Sequence, residues 1–145
     1  MEKSKELVVV CGGRDLLLPA GESNSLEDIA RRTSLWSAKL AAELAFIWDA
    51  NGGYSDLAVV HGGAKGADWL AGQVAKSLGL EVRVYKADWS THGKAAGAFR
   101  NEEMAKVADF CIALPGGTGT ADMKARMKKK GKRVHEITPE SLPCK

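Results

Sequence analysis

"CIALPGGTGTADM" (111–123) reads as three things in succession: a short apolar run, a corner of proline and glycines, and the start of a helix. Recurrence decides the reading. The same order stands in "VVVCGGRD" (8–15) and in "AVVHGGAKGAD" (58–68), where β-branched runs end in paired glycines. Short, continuous apolar runs of this kind suit strands buried on both faces, as parallel sheets require.

Working outward, the first strand spans 6–13 and a loop covers 14–24. "SLED" then offers a capping oxygen at Ser25 and an acid three residues on, which predicts a helix start. Leu26, Ile29, Thr33, Trp36, Leu40, Leu44 and Ile47 keep a spacing of three or four, giving that helix one largely apolar face up to "NGGYSD" (51–56). A second strand (57–63) precedes a helix carrying Ala67, Leu70, Ala71, Val74 and Leu78. A third strand (80–87) sets Leu80, Val82 and Val84 on one face, and "WSTHGKAAG" (89–97) reads as a loop before a helix over 98–108. A fourth strand (109–117), a helix (120–130) and a fifth strand (132–137) complete the pattern. Strands alternating with helices predict an α/β three-layer sandwich around a mainly parallel sheet of about five strands. Residues 1–138 read as a single domain and 139–145 as a loosely attached tail.

The totals fit one ordinary globular domain: 145 residues, 45% hydrophobic, 27% charged, net charge +3. That charge permits an anionic ligand without calling for nucleic acid or a membrane surface. No apolar run reaches the roughly 18 residues of a membrane span. The opening "MEKSKELVVVCGG" runs straight into Gly-Gly-Arg-Asp and reads as a strand rather than a secretory leader. Cys11, Cys111 and Cys144 lack metal-ligand spacing, so reduced thiols in a cytoplasm are expected, with neither metal nor cofactor.

In an open parallel sheet the carboxyl ends of the strands share an edge, and ligands bind in its crevice. Gly12, Gly13, Gly62, Gly63, Gly116, Gly117 and Gly119 all fall at that edge. Glycine lets backbone N–H groups approach a ligand, and a following helix adds unpaired donors and a positive dipole end. Neither G-x-x-x-x-G-K-[ST] nor G-x-G-x-x-G occurs at these corners, which disfavours a nucleoside triphosphatase and a standard dinucleotide enzyme. Arg14 and Asp15 follow the first corner, either bridged to each other or reaching a ligand, and Lys65 follows the second. His61 reads as a buried, hydrogen-bonded histidine and Asp68 as a complement to a helix start. Thr118 and Thr120 offer hydroxyls to a phosphate or caps to the helix. "DWSTHGKAAG" (88–97) reads as a lid in which Trp89 either stacks on a base or plugs a strand end. The basic run 124–133 reads as a solvated helix end, lacking aromatics to stack bases.

"PGGTGTADM" together with "FRNEEMA" resembles the SLOG superfamily of Rossmann-like nucleotide-binding proteins, and most closely its small YspA-like branch. The branch is related to the LOG phosphoribohydrolases and to the DNA-processing protein DprA. The resemblance implies a Rossmann-like fold and a nucleotide-derived small-molecule ligand, with the phosphate at Pro115, Gly116, Gly117, Gly119 and Thr120. The phosphoribohydrolases carry P-G-G-x-G-T-x-x-E and an Arg-Lys pair on the preceding helix. Arg100 falls at the arginine position, Asn101 at the lysine, and Met123 at the glutamate. Asp122 stands one residue earlier, about 100° around a helix. The expected function is therefore binding, as sensing or sequestering, of a nucleotide-derived molecule. The alternative is cleavage of the N-glycosidic bond of nucleoside 5′-monophosphates, for which Arg100 and Asp122 are the catalytic candidates and Asp15 or Glu103 the further acids. Many members of the superfamily are dimers or larger, and the helix bearing Trp36, Phe46 and Trp48 is the candidate interface for a homodimer or higher oligomer.

Overall fold

The computed structural model describes residues 5–18, 25–50 and 57–139, with side chains at 48–50 excepted. Strand β1 (Glu6–Cys11) is followed by helix α1 (Leu26–Ala50), β2 (Leu57–His61), α2 (Ala67–Ser77) and β3 (Glu81–Val84). A single helical turn, α3 (Trp89–His92), and a 3-10 turn (Gly93–Ala95) lead into α4 (Ala96–Val107), then β4 (Phe110–Ala113), α5 (Thr118–Lys129) and β5 (Arg133–Glu136). All strand pairs are parallel, in the order β3-β2-β1-β4-β5. This is a Rossmann-like α/β sandwich.

The two sheet faces follow from strand alternation. Val8, Val10, Val59 and Ile112 face α1 and α2, packing with Trp36, Leu40, Leu44, Leu70 and Val74. Leu7, Val9, Cys11, Val60 and Cys111 face α4 and α5, packing with Met104, Ala105, Met123 and Met127. The chain builds one half of the sheet as β1, β2 and β3, then returns through α4 to lay β4 against the other side of β1. The carboxyl ends of β1 and β4 therefore form the topological switch point, where a crevice opens.

Local chemistry explains where the elements begin. Ser25 Oγ accepts from Asp28 N at 3.1 Å, the cap that "SLED" predicts. Leu26, expected on the buried face, is 83% exposed because it belongs to the first turn, beyond the sheet. β3 is an edge strand shorter than expected, and Val84 is exposed while Leu80 and Val82 pack on the core. The expected loop over 89–97 is helical instead: Asp88 accepts from Thr91 N at 3.1 Å and Ser90 Oγ at 2.8 Å, capping α3. The next helix accordingly begins at Ala96, and α5 begins at Thr118 rather than at 120.

Lys39 is buried and donates to the carbonyls of Thr138 and Pro139, at 3.1 and 2.8 Å, tying the chain after β5 to α1. Residues 140–145 of the expected tail, with Cys144, lie outside the described residues, as do "NGGYSD" and the side chain of Trp48. Among the described residues no helix is long and apolar enough to cross a membrane.

Candidate functional site

The three glycine corners meet at one rim. Gly13 N donates to Pro115 O at 2.8 Å, and Leu114 N to Cys11 O at 2.8 Å, joining the β1 corner to the β4 corner. Ala67 N donates to Gly13 O at 3.1 Å, joining the β2 corner to the same residue. A Cβ on Gly12 would stand 2.6 Å from Ala67 Cβ and 2.9 Å from Leu114 Cβ, so all three segments close on that position. Gly66, at φ +71°, packs against the carbonyls of Gly13 and Arg14.

Below this rim lies a cavity of about 300 Å³, bounded on the β1 side by Cys11, Gly12, Gly13 and Arg14. Gly117, Thr118, Gly119, Thr120 and Met123 of the α5 segment face them, with Arg100, Asn101 and Met104 of α4 and with Ala64 and Asp68 closing the remainder. At the start of α5 the first internal bond is Ala121 N to Gly117 O at 3.0 Å. The amides of Gly117, Thr118, Gly119 and Thr120 have no acceptor among the described residues, as expected of a helix N-terminus, and they border the cavity. Neither threonine caps the helix through its side chain. A Cβ on Gly117 or Gly119 would meet nothing within 4 Å.

The β2 corner is wired differently. Asp68, in the first turn of α2, is 9% exposed and accepts at Oδ2 from Gly62 N (3.1 Å) and Ala64 N (3.2 Å). Gly63 N donates to His61 Nδ1 at 3.0 Å. Three consecutive amides of this corner are thus directed at the protein's own side chains. Arg100 Nη1 donates to Gly62 O at 2.7 Å, so the Gly62 residue is held through its N–H by Asp68 and through its carbonyl by Arg100. Burial pushes the Asp68 carboxyl above its ordinary value, against the amide bond from Ala64 and the charges of His61 and Arg100. Burial also lowers His61, favouring the neutral imidazole against the opposing pull of the Asp68 charge. It is a buried, hydrogen-bonded histidine, as expected from the sequence.

Asn101 Nδ2 donates to Asp122 Oδ2 at 2.9 Å and to Gly119 O at 3.3 Å, bracing α4 against the first turn of α5. Asp122 also accepts from Arg126 Nε at 2.8 Å, and Arg126 continues to Glu102, which pairs with Lys130. Partial burial pulls the Asp122 carboxyl upward, but the bonds from Arg126 and Asn101 outweigh it and hold the group below the ordinary range. Asp122 does not line the cavity; Met123, 1% exposed, does. The floor is apolar and soft. Cys11 Sγ lies 3.7 Å from Cys111 Sγ, and that neighbour together with burial raises the Cys11 thiol well above its ordinary value.

Of the residues expected from the sequence, Gly12, Gly13, Arg14, Arg100, Asn101, Gly117, Thr118, Gly119 and Thr120 come together around the cavity. Asp15, Gly62, Gly63, Lys65, Pro115, Gly116 and Asp122 do not line it, and no ion pair joins Arg14 to Asp15 among the described residues. The segment 88–97 does not line it either; Trp89 is 54% exposed, and His92 stacks on Phe99 with centroids 4.2 Å apart. Sequence reasoning missed Cys11, Ala64, Asp68, Met104 and Met123 as lining residues. For Met123 the signal is available, because it occupies an inward position of the helix that follows the β4 corner.

The model of the "YspA, cpYpsA-related SLOG family" matches residues 7–92, which carry the first two corners. The Gene 61 protein of Mycobacterium phage D29 is 39% identical over 108 residues, covering 69% of this chain and 81% of that protein. The X-ray structure of TM1055, a structural-genomics target, superposes with a TM-score of 0.60 at 20% identity, over 90% of this chain and 72% of that one, a likeness of fold. With the family model matching more than half of its length, the chain belongs to the YspA, cpYpsA-related SLOG family.

Proposed function

We propose that the protein binds a nucleotide or nucleotide-derived small molecule, sensing or sequestering it, with the ligand's phosphate on the amides at the start of α5. One observation carries this reading. The Gly117–Thr120 amides, without acceptors among the described residues, border the switch-point cavity, which Arg14 and Arg100 also line. A helix N-terminus with unpaired amides and nearby arginines favours an anion. The volume lies at the small end of the roughly 300–1,000 Å³ range of ligand pockets. In this reading Gly12 and Gly13 let the three corners close tightly beside the ligand, while Gly62, Gly63, Pro115 and Gly116 shape the rim.

The phosphoribohydrolase alternative fits less well. The position where the resemblance places the glutamate holds Met123, which cannot move a proton, and Asp122 is engaged by Arg126 outside the cavity. Titration calorimetry of the full chain against nucleoside monophosphates, ADP-ribose compounds and cyclic nucleotides tests the proposal. Binding of at least one supports it, and no heat across the panel overturns it. Chromatography of the same mixtures for free base decides between holding and hydrolysing.

Two further readings have support. Paired thiols in the core suit a reducing compartment such as a cytoplasm. Of the residues expected at an oligomer interface, Trp36 is packed in the core and cannot serve. Phe46, 70% exposed, together with Leu35, 40% exposed and three turns away on α1, suits a homo-oligomer contact. Light scattering on the eluted protein reports the mass directly.

A further inference from the structure

We propose that Asp68 recognises the sugar of the ligand, accepting hydrogen bonds from ribose hydroxyls at the end of the cavity away from the phosphate. The inference rests on the nucleotide reading above and adds the group that sees the sugar.

Among the described residues Asp68 is the only acid lining the cavity, and Arg14 and Arg100 are the only cations there. It is nine-tenths buried, and both of its hydrogen bonds, from Gly62 N and Ala64 N, end on Oδ2. Oδ1 has no partner among the described residues. Among the described residues the fully buried side-chain polar atom without a partner is Trp36 Nε1, so Oδ1 keeps solvent access in a residue that lines the cavity. A ligand donor can take the place of water there. The surrounding groups restrict what that donor is. An ammonium would sit among the cavity's two guanidinium groups and be repelled. Neutral hydroxyls meet no such opposition and make charge-assisted bonds to a carboxylate. A phosphoribosyl group has an anion at one end and adjacent hydroxyl donors at the other. That order matches a cavity with free amides on the α5 side and an acceptor in the first turn of α2.

The test compares ribonucleoside 5′-monophosphates of the four common bases with their 2′,3′-dideoxy forms, and includes ribose 5-phosphate. Each is titrated into the wild-type chain and into Asp68→Asn, which keeps an oxygen for the Gly62 and Ala64 amides. The wild type is expected to bind the ribo form about tenfold or more tightly than the dideoxy form of the same base. Asp68→Asn is expected to erase that gap while leaving dideoxy affinity within about threefold. Equal ribo and dideoxy affinities in the wild type overturn the inference and leave phosphate binding standing. An equal loss for both forms in the variant also overturns it, making Asp68 a brace for the corner alone. If no probe binds the wild type, this inference and the reading beneath it fall together. Thermal melts report whether the variant is folded; if it is not, the wild-type pair decides alone.

Discussion

Gly116 and Gly117 are adjacent in the chain and opposite in what the fold asks of them. A Cβ on Gly116 would run into Thr120 Oγ1 and stand 2.7 Å from Gly13 N, so packing of the β1 and β4 corners excludes any side chain there. A Cβ on Gly117 would meet nothing, and its φ of −102° is open to any residue. Gly119 is free in the same sense. A motif such as P-G-G-x-G therefore mixes two reasons for glycine: contact between backbones, and open space left over free amides. Only the second kind is informative about a ligand, since the first is explained by the protein alone.

The largest expected effect lies on the packing side. At Gly66 a side chain would face the carbonyls of Gly13 and Arg14 at φ +71°, a conformation L-residues rarely adopt. Gly66→Ala is expected to destabilise by on the order of 3 kcal/mol, strain and overpacking together. Urea melts measure it, and a loss under about 1 kcal/mol would mean that the corners yield more easily than close packing implies. The opposite outcome is expected at the free glycines. Gly119→Ala, inside the first turn of α5, should leave stability unchanged or raise it by up to about 1 kcal/mol. The same change should weaken nucleotide binding by about tenfold, because the methyl occupies space over the amides. A variant that alters neither stability nor binding would remove the distinction between the two kinds of glycine.

The contrast also explains how far the sequence could be read. Strand runs ending in glycines were legible as a parallel sheet because burial on both faces leaves a continuous apolar signature, and β1, β2 and β4 follow it. The edge strand β3 carries less of that signature, and its ends were overextended. The turn α3 is not legible in the sequence, because a single Asp88 cap outweighs the glycine and threonine content around it. Within the site, the glycines announced the rim but not which amides were free. That depends on Asp68 and His61, which capture the β2 corner from positions 68 and 61, and no spacing rule reports such a capture. Arg100 was legible as a site residue, whereas its hold on Gly62 O depends on long-range packing.

The captured corner makes stability depend on pH in two directions. His61 has a lowered value, so its contribution is complete above the ordinary value of 6.5 and is lost as pH falls through the folded-state value. The melting temperature is expected to drop between about pH 7 and 5, and His61→Asn, which preserves an acceptor for Gly63 N, should flatten that drop. Asp68 works the other way. Its value is raised, so the favourable contribution exists below the ordinary 3.8 and is lost as pH rises through the folded-state value. Asp68→Asn should therefore gain stability relative to wild type as pH climbs out of the acid range. A constant difference from pH 3 to 7 would show that Asp68 ionises in the fold as it does in the unfolded chain.

The smallest effect is expected on the outer side of α5. Asp122 is tied to Arg126 and Asn101, but its side chain is 38% exposed and the pair is screened by water, so the ion pair contributes little. Asp122→Asn keeps an oxygen for both partners and is expected to change stability by less than about 1 kcal/mol. Nucleotide affinity should stay within about twofold of wild type, because Asn101 remains braced against Gly119 O and the cavity lining is untouched. The comparison with Gly119→Ala is then sharp: two changes three residues apart on one helix, one leaving binding intact and the other weakening it. A loss of binding in Asp122→Asn as large as in Gly119→Ala would place the ligand's contact on the outer face of α5, where the acid is, and would take the free amides out of the site.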